Sequence, residues 1–280
     1  RPRPRVVGHD GVMTDAVATR DRFRTLHERD LFVLPNPWDV GSALVLERAG
    51  APALATTSAG FAWSLGSADQ QVTRDQLVAH VAAVARAVAV PVHVDSERCF
   101  ADDAAGIAET VGLLAEAGAA GCSIEDYDPA TTSIDPIDTA VERVAAAADA
   151  CRAAPGRLVL TARCEHHLYG IDDLDATIGR LIAYRDAGAD CVYAPGLTAI
   201  DDIRRVCDAV GVPVNVLLTA HSPSVHELST LGVRRVSTGG SLAGVAYGSA
   251  RAEYEHITRE GRLDPAAARL GAAEKAVFGR

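Results

Sequence analysis

Residues 90–100, "VPVHVDSERCF", open as an apolar strand and close on Asp95, Glu97 and Arg98 within four positions. Val90, Val92 and Val94 are β-branched residues that suit a pleated interior. Two later stretches repeat the pattern: "GCSIED" runs into Glu125, and "VLTARCEHH" runs into Arg163, Glu165 and His166. If these ends lie side by side, Asp95, Glu97 and Glu125 form a carboxylate cluster facing a guanidinium. Clustered carboxylates repel one another and call for a cation among them. Oxygen donors without paired His or Cys suit a hard ion, Mg²⁺ or Mn²⁺. The alternative is a set of plain salt bridges to Arg98 and Arg163.

Whether the ends meet depends on the elements that carry them. Short Val/Leu/Ile/Ala runs alternate with longer Ala-rich helical segments, and helices are predicted to close at Gly50, Gly118, Gly188 and Gly232. The pattern predicts strands at 31–35, 53–57, 91–95, 121–125, 157–163, 190–194, 213–217 and 234–238. Helices fall between them, one near 15–29 is placed under the barrel's lower end, and one after 261 is expected to pack on a neighbouring subunit. Eight strand–helix units in one 280-residue chain predict an α/β fold, a (β/α)₈ TIM barrel, with residues 15–280 as a single domain. No Gly-rich fingerprint follows an early strand, which argues against a doubly wound dinucleotide fold. In a barrel all strand C-termini open onto one face. That face would gather Pro35–Asp39, Thr56–Ser58, Asp95–Glu97, Glu125, Arg163, Tyr193 and Asn215.

Composition narrows the partners. A net charge of −10 argues against nucleic acid or an anionic membrane surface. Hydrophobic residues, 48% of the chain, suffice for a large core, yet no run approaches the about 18 apolar residues of a spanning helix. The Arg/Pro-rich stretch 1–14 reads as a disordered leader without the apolar segment of a secretory signal. Six scattered Cys lack metal-type pairing and read as reduced thiols in a cytoplasmic protein.

In order and spacing, "VLPNPWDVGSALVLERAGAPALATTSAGFAWSLGSAD", "VPVHVDSE", "AGAAGCSIED", "LTARCE" and "AGADCVYAPG" resemble the isocitrate lyase/phosphoenolpyruvate mutase superfamily. The likeness runs from about residue 20 to 260 and is nearest to its short, carboxyvinyl-carboxyphosphonate phosphonomutase-like branch. It implies Asp95 as the direct Mg²⁺ ligand, with Glu97, Glu125 and Asp69 holding metal-bound waters. It also implies Arg163 on the substrate's carboxylate or phosphonate, and backbone N–H groups of Thr57, Ser58 and Ala59 on a substrate carboxylate. Trp38 and Asp39 would stand at the mouth of the site. Such enzymes stabilise an enolpyruvate-type oxyanion while a C–C or P–C bond of a small 2-oxo or 2-hydroxy acid breaks. They exchange their last barrel helix between subunits, which implies a homodimer or homotetramer swapping residues near 241–260.

The chain departs from the pattern in three places. Its lid stretch, "EDYDPATTSIDPIDTAVERV", lacks the Lys-(Lys/Arg)-Cys-Gly-His signature of the C–C lyases and the Lys-Asn step of the phosphonomutases. Arg98-Cys99-Phe100 replaces small residues after the metal acids, making Cys99 a candidate acid/base thiol or a packing residue. Cys164-Glu165 replaces Thr-Asp after Arg163, leaving Glu165 to orient a ligand and His166 to reach the site. The leading expectation is a Mg²⁺-dependent lyase or decarboxylase. P–C mutase or hydrolase chemistry and an inactive binding protein remain open beside it.

Overall fold

Mostly buried strands rich in small and β-branched residues form the centre of the molecule. In the computed structural model, which describes residues 9–279, they are β1 (Phe32–Leu34), β2 (Leu54–Ala55), β3 (Val92–Val94), β4 (Gly121–Glu125), β5 (Val159–Arg163), β6 (Cys191–Tyr193), β7 (Val214–Leu217) and β8 (Arg235–Ser237). Every ladder is parallel, and the order is β1-β8-β7-β6-β5-β4-β3-β2. Between β1 and β2 the Ala55 N–H donates to the Pro35 carbonyl at 3.1 Å. Asn36 Nδ2 adds a bond to the Thr56 carbonyl at 2.7 Å. These contacts bring the two edges together into a nearly closed (β/α)₈ barrel, the expected fold.

The eight expected strands are all present. Helices α2 (Val40–Arg48), α4 (Arg74–Ala87), α5 (Ala104–Glu116), α6 (Ile137–Ala153), α7 (Leu174–Asp186), α8 (Ile200–Val210), α9 (Val225–Thr230) and α10 (Ser241–Glu260) separate or follow them. Asp103 and Asp173 cap α5 and α7 by accepting first-turn N–H groups. Gly118 and Gly188, at φ 99° and 108°, turn the chain from those helices into the next strand. Two elements exceed the expectation: α3 (Ser58–Ser64), and an antiparallel ribbon pairing Tyr127–Asp128 with Ser133–Ile134.

A register row fixes which side chains share the interior. Glu125 lies opposite Arg163, Arg163 opposite Tyr193, Tyr193 opposite Asn215, and Asn215 opposite Arg235. Because side chains alternate across a strand, all five belong to the inward set.

Helix α1 (His9–His27) closes the lower end, as expected of the segment 15–29. Of the predicted leader 1–14, residues 1–8 lie outside the described residues, while α1 begins already at His9. Phe23 is fully buried, edge-on to His27 and Phe32 and stacked 5.7 Å from His93. Arg20 donates to the Ala119 carbonyl at 2.9 Å and to that of Ala115 at 2.6 Å, where the chain enters β4. The tail after 261 does not extend away. It forms α11 (Ala272–Lys275) and a final turn that buries Val277 and sets Phe278 against Gly41 of α2. Among the described residues, no helix is long and apolar enough to cross a membrane.

Replacing Phe23 with Ala should cost about 3–5 kcal/mol of stability, the scale for a buried aromatic. Urea unfolding of the purified variant measures it; a loss below about 1 kcal/mol would mean α1 does not hold the barrel floor.

Candidate active site

The strand C-termini surround a cavity of about 260 Å³ lined by Ser58, Ala59, Asp69, Asp95, Arg163 and Tyr193, with Asn215 and Arg235 deeper. Arg163 stands at its centre. Its Nη1 donates to Asp95 Oδ1 at 2.5 Å, Nε to Glu165 Oε1 at 2.8 Å, and Nη2 pairs with Glu125 Oε2 at 3.1 Å. The guanidinium carbon lies 5.5 Å from the Tyr193 ring centre, a cation–π contact from the adjacent strand. Asp95 is held from its other side: Oδ2 accepts the Ser58 N–H at 3.0 Å and Oδ1 the Ser123 hydroxyl at 3.3 Å. Gln70 Nε2 donates to Glu125 Oε1 at 2.9 Å.

Charge does not balance here. Asp69, Asp95, Glu97, Glu125 and Glu165 face one guanidinium. Burial pushes Glu125 and Glu165 upward despite Arg163. Burial, then the charges of Asp95 and Asp69, push Glu97 up to about 8. Glu97 has no side-chain hydrogen bond among the described residues, although it is 7% exposed. Its backbone sits at φ 47°, followed by Cys99 at 60° and Phe100 at 52°. Such left-handed non-glycine residues cost about 1–3 kcal/mol each, and they cluster where function demands an unusual chain path.

Among the described residues, no three acids, histidines or cysteines stand close enough to form a ready ligand set. Arg163 draws Asp95 and Glu125 onto itself. The donor chemistry nonetheless fits a hard divalent ion: oxygen ligands only, in excess of the available cation, with Glu97 kept above its ordinary range until positive charge arrives.

The structure brings Asp69, Asp95, Ser58, Ala59, Thr57, Arg163 and Asn215 to the cavity, with Glu97, Glu125 and Glu165 immediately behind. Thr57 caps α3, its hydroxyl accepting the Gly60 N–H at 3.2 Å. Asp95 takes the Ser58 N–H, which leaves the Thr57 and Ala59 N–H groups of the expected backbone donors without a partner among the described residues. Four expected residues point elsewhere. The Cys99 thiol is fully buried behind the site, 3.8 Å from the Ser123 carbonyl, and burial pushes it far up. His166 is buried against Thr177, 3.1 Å away. Asp39 caps α2 by accepting the Ser42 N–H at 2.6 Å. Trp38 turns to Tyr247 of α10, ring centres 6.4 Å apart.

Arg98 joins none of the site acids. Its Nη2 and Nε grip both Asp135 oxygens at 3.0 and 3.2 Å, clamping the ribbon that follows β4. Asp126 holds the other base of that ribbon: Oδ2 accepts from Tyr184 at 2.6 Å and Arg180 at 3.1 Å, and Oδ1 from the Glu165 N–H at 2.8 Å. The ribbon carries no thiol, and Tyr127 stacks on Tyr169 at 3.8 Å beside the cavity mouth. Arg235, Gln70 and Ser123 were missed by sequence reasoning. For Arg235 a signal existed: it lies two residues before Ser237 on one strand, so a charged side chain had to face the interior.

The sequence profile described as phosphoenolpyruvate phosphomutase matches residues 23–258. A Burkholderia cenocepacia J2315 protein with the provisional description lyase/mutase has a crystal structure that superposes with a TM-score of 0.91 at 47% identity, covering 95% of this chain and 98% of that one. The 2-methylisocitrate lyase of Salmonella typhimurium is 32% identical over 186 residues, covering 63% of this chain and 62% of its own. A phosphonopyruvate hydrolase solved with oxalate and Mg²⁺ shares the fold: TM-score 0.82, 23% identity, 93% of this chain and 95% of that one covered.

The metal-free protein should lose stability as pH rises from about 5 to about 8, because folded Glu97 keeps a proton that the unfolded chain has released. Glu97→Gln should flatten that slope in urea titrations across the range. An unchanged slope would mean Glu97 is already ionised and paired.

Proposed function

The chain belongs to the isocitrate lyase/phosphoenolpyruvate mutase superfamily, and from that premise we propose that it cleaves a C–C bond of a small 2-oxo or 2-hydroxy (di)carboxylic acid with Mg²⁺ as cofactor. The observation that carries this reading is the surplus of carboxylates around Arg163 on one open cavity. Asp95 would hold the ion directly, and Glu97, Glu125 and Asp69 through water; Mn²⁺ would satisfy the same donors. When bound, the ion supplies positive charge to an enolpyruvate-type oxyanion.

The chain's own groups do the remainder. Arg163, freed from part of its acid shell, offers a planar fork to the substrate carboxylate, with Tyr193 fixing its tilt. The Ala59 N–H, at the start of α3, donates to the same end of the substrate. Glu165 keeps the guanidinium oriented from behind. The ribbon 127–134, clamped through Asp126 and Asp135, shields the mouth from water. Its lack of a thiol favours decarboxylation among C–C reactions. Loss of CO₂ from the C3 carboxylate of a 2-oxo diacid leaves the bond pair on C3 as an enolate of the 2-oxo group, without prior removal of a hydroxyl proton. The same feature supports a second reading, P–C cleavage, which also proceeds without the lyase thiol.

Helix α10 supports self-association. Over its 20 residues only Ala243 is buried, while Val245 and Tyr254 are 64% and 67% exposed, and Val33 of β1 lacks a covering helix. A second copy donating its α10 would cover these faces and give a homodimer or homotetramer. Val245→Asp with Tyr254→Asp should shift the protein to monomer in light scattering. An unaltered mass would place the contact elsewhere.

A screen of C4–C6 oxo- and hydroxy-acids and phosphonopyruvate with Mg²⁺, following pyruvate, glyoxylate, oxalate, CO₂ and phosphate, tests the reaction class. Turnover of an acid should vanish in Asp95→Ala with melting nearly unchanged. Activity that survives Asp95→Ala contradicts the site. Phosphate release from phosphonopyruvate alone would select the second reading, and oxalate binding without any turnover would make the chain a binding protein.

A further inference from the structure

Among the described residues, Arg235 is a buried cation without a counter-ion. Its side chain is 2% exposed, in the barrel interior, reaching toward Thr161 and His27 of the floor helix, and it lines the same cavity. Nε donates to Asn215 Oδ1 at 2.9 Å, Nη2 to Thr161 Oγ1 at 2.9 Å, and Nη1 to His27 Nε2 at 3.2 Å. None of these acceptors is charged. His27 is fixed as the neutral tautomer, because its Nδ1 faces the Phe23 carbonyl at 3.0 Å and must carry the proton. Burial and Arg235 together hold it down to about 3. A guanidinium stays protonated in proteins and carries five N–H donors, so two of them, one on each Nη, remain without a partner among the described residues. His93, also buried and lining the cavity, has an Nδ1 without a hydrogen bond.

Burying a charge without a partner costs several kcal/mol, and proteins retain such groups where something else completes them. The five acids of the site lie around Arg163 at the strand C-termini and, for Asp69, in the loop after α3, while among the described residues lining the cavity the floor beneath carries Arg235 and neutral groups. The cavity is therefore polarised: an acidic mouth suited to a cation, and a cationic floor suited to an anion.

We propose that Arg235 anchors a second anionic group of the substrate, so that the substrate is a dianionic acid with one acid group at the Arg163 end and the other against Arg235. This assignment rests on the enolate site described above. The two unpartnered N–H groups can donate to an oxygen pair of a carboxylate or a phosphonate, and Asn215 Oδ1, accepting from Nε, holds the fork in place.

Calorimetry with Mg²⁺ present tests the idea on wild type, Arg235→Met and Arg235→Lys, using oxalate and longer diacids, malonate and succinate. Oxalate, which spans only the Arg163 end, should bind all three proteins within about twofold. Succinate should bind Arg235→Met about 10- to 100-fold more weakly than wild type, the range of a charged hydrogen bond, with Arg235→Lys in between. Thermal melting confirms folding; if Arg235→Met does not fold, Arg235→Lys carries the comparison. Equal loss of oxalate and succinate, or succinate binding unchanged in the variants, overturns the assignment. Wild type that binds succinate in an Arg235-dependent way but never oxalate would uphold Arg235 and remove the enolate site instead.

Discussion

One guanidinium held among too many carboxylates organises this molecule. Arg163 bonds Asp95, Glu125 and Glu165 from three of its edges, yet Glu97 and Asp69 remain without compensation nearby. The cluster exists because β3, β4 and β5 are neighbours in a parallel barrel and end at one level, with Glu125 directly opposite Arg163. Charged side chains at the tips of otherwise apolar strands would destabilise an interior without this convergence. The residual imbalance is the observation on which the proposed cation site rests.

The surroundings keep that imbalance from relaxing. Thr56 accepts the Asp95 N–H at 2.9 Å, Ser58 and Ser123 donate to its carboxylate, and Gln70 donates to Glu125. These bonds satisfy oxygens without adding charge, so the acids stay in place and electrostatic strain persists. The ribbon after β4 is anchored by a separate set of groups. Asp126 and Asp135 take Arg98, Arg180 and Tyr184, and the Asp135 N–H bonds the Asp126 carbonyl at 2.7 Å to close the ribbon's base. Arg98 and Arg180 are thereby committed to the ribbon, and among the described residues Arg163 is the arginine that faces the site acids.

Much of this was readable from the chain. Strand–helix alternation with glycine at helix ends gave eight strands, and the acids at strand tips pointed to one face. Parity within a strand also held: Ser96 turns away from Asp95, its hydroxyl bonding the Ser123 carbonyl at 2.5 Å. Beyond strand ends parity stops guiding. Glu97, Cys99 and Phe100 adopt left-handed backbone, so Cys99 swings into the core behind the site, a turn its spacing from Asp95 does not reveal. His166 and Asp39 were drawn off by local bonds, to Thr177 and to a helix cap, that depend on where α7 and α2 begin. Arg98 found Asp135, 37 residues along the chain, a pairing that only the folded ribbon creates.

The claim on which the account stands is that the acids around Arg163 form a divalent-cation site. A crystal structure of the protein with Mn²⁺, read by anomalous scattering, tests it most directly. One anomalous peak is expected beside Asp95, within reach of Glu97, Glu125 and Asp69 directly or through water, with Asp95 released from Arg163. Absence of a peak at saturating Mn²⁺, with Asp95 and Glu125 still bonded to Arg163, would contradict it.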